Sequence, residues 1–170
     1  MHTDLVRRHQ AVHEAGHAVI GSDLGLHVDR VGFNSAEAGD GEAMNFPAST
    51  RFADAEGGPC ELIGAQPAVM VVVMMAGAAA EHVVLGTQLP NSESADVGAL
   101  VLCHPDLHAE LPSDQKSILD AGAREAYRLA KESREEIEAV ADRLMAAKEL
   151  DGDDVAAIVG DIRAHRTRAL

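Results

Sequence analysis

His13 and His17 stand four residues apart with Glu14 beside the first of them. The run His13-Glu14-Ala15-Gly16-His17 reads H-E-x-x-H. On a helix this spacing stacks two imidazoles one turn apart on the same face. Neutral imidazole is a good zinc ligand, and both rings can then reach one tetrahedral ion while the glutamate faces the ion's water. Zinc brings the pKa of such a water to about 7. The carboxylate takes its proton and hands it to a leaving amine. The candidate chemistry is peptide-bond hydrolysis, with His13 and His17 as metal ligands and Glu14 as general base.

The pentapeptide alone is a weak signal in a chain with 9 histidines, so its surroundings carry weight. Leu5, His9, Val12, His13, Gly16, His17, Ile20 and Leu24 recur at i+3 and i+4. The two histidines therefore lie on an apolar, inward helix face. Buried imidazoles and a buried carboxylate are costly unless something satisfies them, and a metal ion does so.

A catalytic zinc takes three protein ligands and keeps its fourth position open. Asp23 fits the count of the extended pattern H-E-x-x-H-x-x-G-x-x-H/D, but Ile20 stands where that pattern needs a glycine. Glu81 suits a thermolysin-like site, whose third ligand comes from a later helix. Asp96 falls in the first turn of a helix that Ser92 or Ser94 can cap, where an acid also answers the helix dipole. The residues by themselves leave all three open. Cys103-His104-Pro105-Asp106-Leu107-His108 gathers ligand types, but Pro105 makes it a loop and its spacing matches no standard site.

The elements that must hold these residues are mostly helical. The chain has 170 residues, with 46% hydrophobic content but only 2% aromatic, no Trp and one Tyr. A core of Ala, Val, Leu, Ile and Met favours close-packed helices over a sandwich or barrel. The expected fold is mainly α, with a small β-hairpin or edge ribbon. One domain is expected over residues 1–160, followed by a frayed tail over 161–170. The first helix begins at a Thr3 or Asp4 cap and ends near Gly21 or Gly25. His27–Phe33 reads as a strand, Ala36–Glu42 as a turn and Ala43–Phe46 as the returning strand, an edge that can pair with an extended peptide. Residues 48–60 read as a loop. Leu62–Ala80 is uncharged, but Gln66 and Pro67 interrupt it. Its apolar core, Ala68–Ala80, suits a buried helix better than a span of about 20 residues. That helix continues to Gly86, and its small face of Ala76, Gly77, Ala79 and Ala80 allows close contact with the first helix. Ser113 caps a helix to Lys131. Ser133-Arg134-Glu135-Glu136 is a capping box for another ending near Leu150, and Asp153 caps a short helix through Val159.

The net charge of −14 argues against nucleic acid and anionic membrane surfaces, which need a basic footprint. Residues 1–112 hold 4 basic and 15 acidic side chains, against 10 and 13 in residues 113–170. The half with the candidate site is thus the acidic one. Cys60 and Cys103 have no zinc-finger or redox spacing and read as reduced thiols of a cytoplasmic protein. MHTDLVRRHQ has no apolar h-region, so no secretory signal is expected.

Several segments together resemble one family, the peptidase domain of the FtsH-type ATP-dependent zinc proteases. His13-Glu14-Ala15-Gly16-His17-Ala18 matches that family's H-E-A-G-H-A. Ala76-Gly77-Ala78-Ala79-Ala80-Glu81 is similar to its G-G-R-x-A-E, with Ala76 and Ala78 replacing a glycine and an arginine. Ser94-Ala95-Asp96-Val97 falls where the family has an S-N-D-L-like run. Tyr127–Ala130, Leu144–Glu149 and Leu150-Asp151-Gly152-Asp153 follow its closing helices. The resemblance implies one catalytic zinc held by His13, His17 and Asp96, with Glu14 as general base. It implies endopeptidase action on polypeptide substrates. The sequence has no G-x-x-x-x-G-K-[ST] and no membrane span is expected, so the expectation is a peptidase domain standing alone and acting on short or unfolded polypeptides. The family's ring assemblies leave room for a separate ATPase or unfoldase partner and for a homo-oligomer. The rival expectation is a non-catalytic, zinc-stabilised domain that binds peptides or proteins as an adaptor or regulator.

Overall fold

The computed structural model describes residues 2–33, 48–53, 59–60, 67–90, 92, 96 and 115–168. Five long helices and four short strands follow in the order α1 (His2–Asp23), β1 (His27–Phe33), β2 (Ala48–Ala53), β3 (Pro59–Cys60), α2 (Pro67–Leu85), α3 (Gln115–Glu132), α4 (Arg134–Ala147), β4 (Glu149–Asp151) and α5 (Gly152–Arg168). The described residues are mostly helical and contain one small antiparallel sheet in the order β3-β2-β1-β4.

Helix α1 is the centre. Residues 11–21 are buried without interruption, so the helix is enclosed on its whole circumference rather than on one apolar face. It packs against α2, α4 and the β1–β2 pair, and α3 covers the other side of α2. A helix enclosed in this way needs small residues on every side, and Ala11, Ala15, Gly16 and Ala18 supply them. At Gly16 the fit to α2 is close. A Cβ there would lie 2.5 Å from Ala80 Cβ and 2.7 Å from the Ala76 carbonyl oxygen. The small face of α2 thus meets α1 as its composition suggests. Among the described residues, α2 is the one helix whose length and composition would let it cross a membrane. It lies between α1 and α3, and carries Glu81 at zero exposure.

Strand β1 has the bounds its sequence suggests, but its partner differs. The returning strand is Ala48–Ala53, within the stretch expected to be a loop. Ala36–Glu42 and Ala43–Phe46 lie outside the described residues. A register shift between Val28 and Arg30 places an extra residue, Asp29, in β1. The bulge lets Val28 and Val31, three positions apart, both face the core. On β2, Ala48, Thr50 and Phe52 alternate toward α1, while Arg51 pairs outward with Asp29 at 2.9 Å. No alternation of large apolar residues announces Ala-Ser-Thr-Arg-Phe-Ala as a strand, because its inward side chains are small or polar. Strand β4 is only three residues long and pairs with β1.

The carboxy-terminal third corrects three expectations. Ser133 stands at the N-cap of α4 but forms no side-chain cap. Its hydroxyl instead donates to Asp23 Oδ2 at 3.2 Å. Glu136, the other half of the expected capping box, is 1% exposed and accepts from Arg166 at 2.9 Å and Arg163 at 3.4 Å. The cap of α5 is Asp151, not Asp153: Asp151 Oδ1 accepts from the Asp154 N–H at 2.8 Å. Finally, residues 161–168 continue α5 rather than fraying, because Arg163 and Arg166 clamp it to the body. Arg163 also pairs with Asp23 at 2.7 Å, answering an acid at the end of α1 where the helix dipole disfavours one. Ser113 and the Cys103–His108 cluster lie outside the described residues.

A chain ending at Gly160 keeps Val155 and Val159 but leaves the buried Glu136 carboxylate without its arginines. Its expected loss of unfolding free energy, measured with urea, is about 1–3 kcal/mol. A frayed tail would predict no change.

Candidate metal centre

Three side chains from two distant parts of the chain converge between α1 and α2. His13 Nε2 and His17 Nε2 lie 3.0 Å apart, with the rings edge-on to one another. Asp96 Oδ2 lies 3.1 Å from the first and 3.6 Å from the second. Both imidazoles are buried, and Asp96 Oδ2 is a buried oxygen that makes no hydrogen bond. Ser92 and Asp96 both have helical backbone. Ser94 lies outside the described residues.

The far side of each ring fixes its proton. His17 Nδ1 is 2.7 Å from the Val73 carbonyl oxygen, and His13 Nδ1 is 2.7 Å from Glu81 Oε1. A carbonyl and a carboxylate only accept, so in each ring Nδ1 carries the hydrogen and donates it. When the imidazoles are neutral, both Nε2 lone pairs turn toward each other and toward an unpartnered carboxylate oxygen. Three acceptor atoms at 3.0–3.6 Å repel unless a cation stands among them. For a tetrahedral ion with bonds of about 2.0–2.1 Å, the ligand atoms should be about 3.3 Å apart. The observed separations bracket that distance. His13, His17 and Asp96 can hold a metal ion.

The electrostatics agree. Burial alone would lower the pKa of His13, but its close contacts with Asp96 and Glu81 and the charges of Asp96 and Glu14 push it up to about 10. Burial would raise Asp96, yet the charge of His17 and the contacts with both imidazoles hold it well below the usual carboxylate range. Glu81 is likewise opposed by burial and held down by His13, the Leu89 N–H and His9. Such a pocket favours positive charge, whether a proton or a metal ion.

The other candidates are placed elsewhere. Asp23 is engaged with Arg163 and Ser133 at the end of α1. Glu81 faces the back of the histidine rings, with Oε1 on His13 Nδ1 and Oε2 on His9 Nδ1 and the Leu89 N–H. It is thus an acceptor that orients the His13 ring, the place carboxylates commonly take behind metal-bound histidines. Glu14 is buried, and the Thr50 hydroxyl shares its proton between Glu14 Oε2 at 2.8 Å and the Glu14 carbonyl oxygen at 2.9 Å. Strand β2 therefore fixes the carboxylate on α1. Thr50 lies in the stretch expected to be a loop, and the Val73 carbonyl is backbone, so neither had a sequence signal. His9 did have one, as the first member of the i, i+4, i+8 histidine series.

Compared with known proteins, the chain matches no family model and no curated sequence. The reading of the site rests on its own geometry.

Gly77 makes the room for His13. A Cβ there would come within 2.5 Å of ring atoms Cδ2 and Cε1. Gly77→Ala should push the ring off its position and weaken divalent-metal binding about 10-fold or more, as disturbed ligand support does. A competition titration against a coloured chelator checks this; unchanged affinity would contradict the placement of His13.

Proposed function

We propose that this chain is a zinc metallopeptidase domain that hydrolyses peptide bonds of short or unfolded polypeptides. The observation that carries the proposal is the pairing of two elements. One is a converging His13–His17–Asp96 donor set. The other is Glu14, one residue after the first histidine, held by Thr50. A two-histidine, one-carboxylate set alone also suits iron. The buried carboxylate within the H-E-x-x-H turn favours a hydrolytic zinc centre, since a structural site has no use for it.

Zinc bound there would supply Lewis-acid polarisation of the scissile carbonyl and a water acidic enough to react near neutral pH. The protein's own groups do the rest. Glu14 takes the proton of the attacking water and delivers it to the leaving nitrogen. Thr50 holds the Glu14 carboxylate in one orientation, so little rearrangement is needed before the transfer. The Val73 carbonyl and Glu81 keep Nδ1 of His17 and His13 protonated and Nε2 free to ligate. Substrate is proposed to lie extended along β2 beside Thr50, where, among the described residues, pairing with β3 reaches only Phe52 and Ala53. The FtsH-type resemblance of the segments around His13, Glu81 and Asp96 supports the same assignment. It also makes a separate ATPase that feeds unfolded chains to the site a reasonable partner.

Two variants test the roles. Glu14→Gln should lower cleavage of an unfolded casein-like substrate about 10²–10⁴-fold while binding zinc as the unchanged protein does. Asp96→Ala should lose both zinc and cleavage. Undiminished hydrolysis by Glu14→Gln, or stoichiometric zinc in Asp96→Ala, contradicts the assignment. Zinc without cleavage in the unchanged protein would favour a zinc-stabilised peptide-binding domain instead.

A further inference from the structure

His9 is 7% exposed and is tied to the converging donor set through Glu81. Glu81 has zero exposure, and three donors satisfy it. His13 Nδ1 lies 2.7 Å from Oε1, while His9 Nδ1 at 2.9 Å and the Leu89 N–H at 2.7 Å share Oε2. The ionised carboxylate only accepts, so His9 must present Nδ1–H. Thr87 Oγ1 stands 3.4 Å from its Nε2. On Oε2 the hydrogens therefore run from His9 and the Leu89 N–H to Glu81. On the other carboxylate oxygen they run from His13.

We propose that His9 is a positioning residue of the metal centre: by holding Glu81 it fixes the ring orientation and tautomer of His13. The inference rests on the reading of His13, His17 and Asp96 as metal ligands. Its physical basis is the freedom of the glutamate. Glu81 reaches His13 through three rotatable bonds inside a buried interface. Leu89 N–H alone anchors Oε2 when the His9 donor is gone, and the carboxylate is then free to turn about its own bonds. His13 Nδ1 then loses its acceptor. The alternative tautomer, with hydrogen on Nε2, removes a lone pair from the metal. A histidine that merely fills the core would act through its volume and not through its donor.

The two cases separate with His9→Phe, which keeps a ring but has no donor, and His9→Asn, whose amide N–H can replace Nδ1–H. Zinc dissociation constants are measured on the whole chain by chelator competition at fixed pH. His9→Phe should bind zinc about 10-fold or more weakly. His9→Asn should return most of that loss. Equal affinity for His9→Phe and the unchanged protein overturns the proposal, as does equal weakening in both variants. A second readout needs no variant. Nitrogen-15 NMR of the zinc-loaded protein should show His9 with a hydrogen on Nδ1, and an Nδ1 without one overturns the proposal. Failure of the unchanged protein to bind zinc would defeat the metal reading itself. Binding that His9→Phe leaves untouched defeats only the role of His9.

Discussion

Two imidazole nitrogens 3.0 Å apart, each with its hydrogen already committed on the far side of its ring, are the constraint on which this structure turns. Asp96 Oδ2 adds a third acceptor to the same small space. With neither a proton nor a metal ion among its acceptors such a cluster is destabilising, because burial removes the water that would otherwise separate the lone pairs. A cation resolves it. The fold spends considerable order on keeping the cluster in place. Gly16 lets α1 and α2 approach until Ala76 and Ala80 touch the helix, and Gly77 leaves the space where the His13 ring lies.

Around that centre, the supporting contacts come from three parts of the chain. Val73 and Glu81 come from α2, Leu89 and Thr87 from the chain beyond it, and Thr50 from β2. This division explains why α1 is enclosed on all sides. A helix that receives a carbonyl, a carboxylate and a hydroxyl from separate neighbours must touch all of them. The clamp of Arg163 and Arg166 on Asp23 and Glu136 closes α5 against the end of the same helix and its neighbour α4.

The parts of this arrangement that are local in sequence were legible there. H-E-x-x-H gives two imidazoles and a carboxylate on one turn, His27–Phe33 shows its strand, and the uncharged run before Glu81 shows a buried helix. What depends on distant partners was not. Glu81 was one of three candidate third ligands, and only its position behind the rings makes it an acceptor for Nδ1. Ser133 and Glu136 form a capping box in sequence, but Asp23 and two arginines compete successfully for them. Strand β2 escapes a hydrophobic pattern because its inward positions are Ala48, Thr50 and Phe52, with the polar Thr50 committed to Glu14. Here the departure from pattern coincides with the site, where a polar residue facing inward has a chemical reason.

The central claim is that one metal ion sits between these three side chains. X-ray absorption at the metal edge of the zinc-loaded protein tests it most directly. The account predicts a first shell of nitrogen and oxygen only, with two imidazoles in it and no sulfur. A shell containing sulfur from Cys60 or Cys103, or protein that takes up no stoichiometric metal, would contradict it.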